Sequence, residues 1–142
     1  MSKLRVSRYD GAFRNVARSA YRGHMNAPKE LRVSKDRRLL TVSFPDHAPI
    51  EIAAEMLRVL SPSAEVQGHS PDQRVTVPGK RDVAIRKLEP VGNYAIRIGF
   101  DDGHDTGIFT WSYLHQLGHE KEARWQAYLD ELAEKRLSRD PR

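Results

Sequence analysis

The segment Tyr94-Ala95-Ile96-Arg97-Ile98-Gly99-Phe100, followed at once by Asp101-Asp102-Gly103-His104, constrains the fold more than any other stretch of the chain. Side chains alternate across a strand, so Tyr94, Ile96, Ile98 and Phe100 are expected on one face. Gly103 is free to take positive φ in the turn, and residues 106–109 then return as a partner strand. An apolar strand face has to be covered, so the chain needs a sheet with something packed on one side of it.

The remaining elements supply that cover. Residues 39–44 predict a strand, Pro45-Asp46-His47 a turn and residues 48–52 the returning strand of a hairpin. Residues 53–60 predict a short helix with Ala53, Met56, Leu57 and Leu60 on one face, ended by Pro62. Residues 61–79 are poor in large apolar side chains and read as a long ordered loop with a short strand at 74–77. Residues 83–88 form a further strand, and Val91-Gly92-Asn93 a turn. A short helix is expected at 111–117. Gly118 separates it from a longer helix at 120–137 with an apolar stripe of Trp125, Tyr128, Leu129 and Leu132. Glu120/Arg124 and Glu131/Lys135 are spaced as ion pairs on its wet face, and residues 138–142 are expected to fray. The fold class is α+β: a small, mostly antiparallel β-sheet built from hairpins, with a short helix after the first hairpin and two C-terminal helices. The expected organisation is a basic, disordered leader at 1–28, a domain at 29–118, and a C-terminal helix with a frayed tail at 119–142.

Charge and cysteine content narrow the function classes. The net charge is +5, but of 24 basic and 19 acidic residues, six bases and one acid fall in residues 1–24, which leaves 18 of each. The body is neutral by count, whereas a nucleic-acid groove should be basic over the folded domain, so a nucleic-acid partner is disfavoured. Within the leader, Tyr9, Phe13, Val16 and Ala20 have helical spacing, weakened by Gly11; a disordered extension is the preferred reading. With no cysteine there is no disulfide and no thiolate metal site, and the cytoplasm is the expected compartment. No apolar stretch approaches 18 residues, so no membrane span is expected.

Few residues suggest chemistry. His115 and His119 have the i, i+4 spacing of a helical metal pair. Gly118 lies between them and the zinc-protease pattern is absent, so they read as exposed residues near a helix end. Asp101, Asp102 and His104 crowd three ionisable groups into one turn. They could orient an acid/base histidine or bind a metal, but the turn itself explains them by bonds to backbone amides. Glu65, His69 and Asp72 of the long loop could approach that turn. No glycine-rich phosphate loop, nucleophile elbow or iron-triad pattern is present, and no enzyme activity is expected. The helix bearing Trp125 and Tyr128 can pack on its own sheet or on a second copy, which leaves a homo-oligomer open.

Three segments, taken in order, carry a resemblance. They are Leu57-Arg58-x-x-Ser61-Pro62-Ser63-Ala64-Glu65-Val66-Gln67-Gly68-His69, then Val91-Gly92-Asn93-Tyr94-Ala95-Ile96, then Asp102-Gly103-His104-x-x-Gly107-Ile108-Phe109-x-Trp111-x-Tyr113-Leu114. Over residues 30–118 the chain resembles the γ-butyrobetaine hydroxylase-like N-terminal domain family, which includes stand-alone bacterial domains of unknown function. In the hydroxylases this domain precedes a separate catalytic domain that uses iron(II) and 2-oxoglutarate, and nothing here resembles that domain. The resemblance therefore implies a non-catalytic binding or accessory module with another protein as partner. Related domains attached to iron–sulfur-cluster carrier ATPases imply an alternative, a metal-, iron- or iron–sulfur-related accessory role using a weak site of His104, His69 and Glu65.

The resemblance also implies where a zinc site would lie. In the hydroxylases three cysteines and one histidine bind zinc, at positions that fall here on Ser61, Ser63, Val66 and His104. Structural zinc needs four donors, serine is a poor one and valine has none, so neither zinc nor another cofactor is expected. Polar bonds should then hold the loop to the turn: Ser61 or Ser63 to loop backbone, and His104 to a loop carbonyl or carboxylate. Ser61, Ser63, Glu65, His69, Asp101, Asp102 and His104 make up the candidate binding surface.

Overall fold

The computed structural model describes residues 26–68 and 70–141, except the side chain of Pro71, together with the backbone at 4–6 and 13–15. The first sheet holds β1 (Leu4–Val6), β2 (Phe13–Asn15), β3 (Glu30–Val33), β4 (Leu39–Ser43) and β5 (Ile50–Ala53), antiparallel in that order. Phe13 is thus in a strand, not in the leader helix that its spacing allowed. The other residues of that helical spacing lie outside the described residues. In β3 and β4, Leu31 pairs with Val42 and Val33 with Leu40, so the apolar half of each strand shares one buried face. Ile52 of β5 continues that face opposite Leu40.

The hairpins divide between two sheets. The second holds β6 (Ile85–Val91), β7 (Ala95–Phe100) and β8 (Gly107–Thr110), again antiparallel, with a bulge between Ile85 and Lys87. Arg37 joins the two sheets from the β3–β4 turn. Its backbone has φ 64°, its carbonyl accepts from the Ile85 amide at 2.7 Å, and its side chain donates to the Ile85 and Arg86 carbonyls at 2.6 and 2.9 Å. Ile96, Ile98 and Phe100 are buried as their alternation requires. Tyr94 is not; it precedes β7 in the turn and is 53% exposed.

Among the described residues, four α-helices complete the fold: α1 (Ala54–Val59), α2 (Ala64–Gln67), α3 (Trp111–His119) and α4 (Lys121–Glu134). They bring Met56, Leu57, Trp111, Leu114, Leu117, Tyr128 and Leu132 into one core with both sheets. Each such fully buried large apolar side chain contributes about 1.5–3 kcal/mol. Thr110 caps α3 by accepting from the Tyr113 amide at 3.1 Å, and buried Trp111 donates to the Asn93 carbonyl at 2.8 Å.

Three local expectations are corrected. The long segment after α1 carries α2 and a 3-10 turn at Pro71–Gln73, but residues 74–77 are not a strand. Side chains hold that stretch along α4 instead: Glu131 bonds Arg74 and Thr76, and Lys135 donates to Thr76 at 2.8 Å. Lys135 thus reaches Thr76 rather than its expected partner Glu131, whereas Arg124 and Glu120 do pair at 2.7 Å.

The third correction concerns the tail. Residues 138–140 are pinned rather than frayed. The Gly79 and Arg81 amides donate to the Ser138 and Arg139 carbonyls, each at 2.9 Å. The Arg139 guanidinium forks onto the buried Glu55 carboxylate at 2.7 and 2.8 Å and lies 5.1 Å over the Trp125 ring. Among the described residues, no helix is long and apolar enough to cross a membrane.

Candidate functional site

The site forms where the end of α1, α2 and the β7–β8 turn meet. After Leu60 the chain turns through Ser61 and Ser63, whose short polar side chains face the turn. Ser63 is the N-cap residue of α2, but its side chain makes no capping bond. Its hydroxyl lies 3.4 Å from His104 Nε2 instead, and the Ser61 hydroxyl lies closer, at 3.0 Å. On the other side of the ring, Nδ1 lies 3.3 Å from Glu65 Oε2. Glu65 is steadied by Thr106, which donates to its Oε1 at 3.0 Å.

These contacts assign the protons. An ionised carboxylate only accepts, so the proton of the neutral ring belongs on Nδ1, the nitrogen that faces Glu65 across 3.3 Å, which leaves Nε2 to accept from Ser61 Oγ–H. Burial lowers the His104 pKa below 6.5, and the positive charge of Arg58 lowers it further, against Glu65, Asp102 and Asp105, which raise it. The ring is neutral at neutral pH. Ser61 Oγ also accepts from the Ser63 amide at 3.3 Å, and Gln67 donates to the Ser61 carbonyl at 2.9 Å. The expected polar latch is present, with one difference. Ser61 meets loop backbone and the ring faces a loop carboxylate, as expected, but both serine hydroxyls also bond His104 directly.

Gly107 makes this approach feasible. A Cβ there would lie 2.3 Å from Ser61 Oγ, so only glycine leaves space for the hydroxyl above β8.

Asp102 has a separate role. Arg58 Nε and Lys80 Nζ meet its Oδ2 at 2.8 and 2.6 Å, and its Oδ1 accepts from the His104 amide at 3.0 Å. Burial raises its pKa, but the bonds from Lys80, the His104 amide and Arg58 outweigh that and hold it at about 2. Asp101 accepts from the Ala84 amide at 3.1 Å. Neither carboxylate makes a hydrogen bond to the His104 ring, so the turn does not assemble an acid/base dyad. The turn reading favoured by the sequence, with acidic side chains on backbone amides, is the one observed. His69 lies outside the described residues.

The residues at the implied zinc positions do not fit the metal. Ser61 and Ser63 converge on His104, but Nε2 is engaged by a hydroxyl, and the fourth position is the buried Val66, which has no donor. Among the described residues, no group of three or more histidine, cysteine, aspartate or glutamate side chains is placed to hold a metal ion. Arg58, Lys80 and Thr106 were not singled out from sequence. Their side chains reach Asp102 and Glu65 only after folding, and no spacing rule marks them.

The comparisons agree with this architecture. Residues 31–115 match the family described as gamma-butyrobetaine hydroxylase-like, N-terminal. A protein solved in solution by NMR is 44% identical, with a TM-score of 0.72, over 83% of this chain and 93% of its own. A second NMR structure is 37% identical, also with a TM-score of 0.72, over 87% of this chain and 92% of its own. A crystal structure of a protein of unknown function from Acidithiobacillus ferrooxidans, of the DUF971 family, is 37% identical, with a TM-score of 0.53, over 64% of this chain and 91% of its own. No curated protein matches. The chain belongs to the γ-butyrobetaine hydroxylase-like N-terminal domain family.

Proposed function

We propose that this chain is a non-catalytic accessory module that binds another protein through the acidic rim around His104. One observation carries the reading, the division of the site into a closed interior and an open edge. Ser61, Ser63 and His104 are buried and satisfied by one another, so they shape the surface without touching a partner. Glu65, Asp101 and Asp105 are exposed beside them. Such a rim complements a basic protein surface. Asp102, committed to Arg58 and Lys80, supports the turn.

The metal-handling alternative at His104, His69 and Glu65 is less favoured. Both ring nitrogens of His104 already have partners, and one of them is Glu65 itself. The neutral body argues for protein rather than nucleic acid, and the cysteine-free composition supports a cytoplasmic setting.

Crosslinked capture from native extract tests the reading. Asp105→Lys and Glu65→Lys should each lose a partner that the wild type and a Glu134→Lys control on α4 both recover. Equal recovery by all four proteins would contradict the assignment of the surface.

A further inference from the structure

The end of α3 and the β4–β5 turn bring three imidazoles together, using none of the residues around His104. His115 and His119 share a face because α3 runs through Gly118 instead of ending there. The glycine serves packing. A Cβ at 118 would lie 2.3 Å from Ile50 Cγ2, so its absence lets the helix sit on β5. With the helix intact, the i, i+4 spacing sets the two rings side by side. Their centroids are 4.3 Å apart and their Nε2 atoms 3.1 Å apart. His47, in the β4–β5 turn, places its ring 5.0 Å from that of His115, and Phe44 meets His115 edge-on at 5.5 Å.

Two Nε2 atoms at 3.1 Å repel if both carry a proton or if neither does. One proton has to lie between them, or one cation. Two metal–nitrogen bonds of about 2.0–2.1 Å place the nitrogens about 3.3 Å apart at a tetrahedral angle and about 2.9 Å apart at a right angle. The observed separation falls between these values.

We propose that His115 and His119 form a two-imidazole chelate for a first-row divalent cation of the zinc or nickel type, with water completing its coordination. Imidazole nitrogen suits these ions, while magnesium and calcium prefer oxygen.

Isothermal titration of the tag-free, full-length chain with zinc chloride and nickel chloride tests this. One equivalent per chain is expected, in the micromolar range, with no response to magnesium. His115→Ala and His119→Ala should each weaken binding by at least about tenfold, while His104→Ala leaves it unchanged. Circular dichroism checks that the variants fold, and metal-induced shifts of the wild-type imidazole nitrogens locate the ion without any substitution. No saturable binding, binding retained in the His115→Ala/His119→Ala double variant, or loss on His104→Ala would each overturn the proposal.

Discussion

The Nε2 atom of His104 lies 3.0 Å from the Ser61 hydroxyl, at the position that the family resemblance assigns to a thiolate beside a shared zinc. A hydrogen bond thus joins the segment after α1 to the β7–β8 turn, where the family resemblance implies a metal. The bond is individually modest. Ser61→Ala should cost about 1–2 kcal/mol in urea unfolding, because it strips the acceptor nitrogen of its nearer donor. Ser63→Ala should cost less, since its hydroxyl is at 3.4 Å.

Gly107 and Ser61 should be coupled. Gly107→Ala forces a methyl group to 2.3 Å from Ser61 Oγ, but the next Ser61 atom, Cβ, is at 3.5 Å. The single substitution should destabilise by about 1–3 kcal/mol. In a Ser61→Ala background it should cost less by about 1 kcal/mol, read from a double-mutant cycle. Additive effects would show that the steric conflict lies elsewhere.

The pH dependence of stability follows from two depressed pKa values. The folded state favours neutral His104, so its contribution is full above about 6.5 and is lost as pH falls through its lowered folded value. Asp102 falls from 3.8 to about 2, so its contribution is full above 3.8 and is lost as pH falls towards 2. Solvent screening of this partly exposed carboxylate limits that contribution to about 1–2 kcal/mol. Denaturant midpoints measured from pH 7 to pH 2 should show both declines, and Asp102→Asn should remove the lower one.

The C-terminal tail should behave as a structural strap. Arg139→Ala leaves the 6% exposed Glu55 without its guanidinium partner, which should cost about 3 kcal/mol. Adding Glu55→Gln should recover part of that loss. Hydrogen exchange at the Gly79 and Arg81 amides should speed up in the single variant, because both donate to the tail.

Much of this architecture was legible in the chain. The alternation of Ile96, Ile98 and Phe100 and the Asp-Asp-Gly-His turn located the second sheet's central strand, and the stripe of Tyr128 and Leu132 located α4. The misses share a cause, which is tertiary contact overriding a local signal. Gly118 reads as a helix breaker but is a packing notch for Ile50. Arg139 reads as part of a fraying end, but its partner Glu55 is 84 residues away. Arg74 to Val77 has strand-like residues but is held by α4 side chains rather than by a ladder. At the site, Ser61, Ser63 and Glu65 do converge on His104. Which ring nitrogen meets which residue depends on loop geometry that sequence spacing does not encode.

The central claim is that hydrogen bonds close the His104 site in place of a metal. Long-range proton–nitrogen NMR of the imidazole reads this most directly. The account predicts a neutral ring protonated at Nδ1, with Nε2 as acceptor, unchanged by a chelator or by added zinc. A ring protonated at Nε2, or a zinc-dependent shift of the His104 nitrogens, would contradict it.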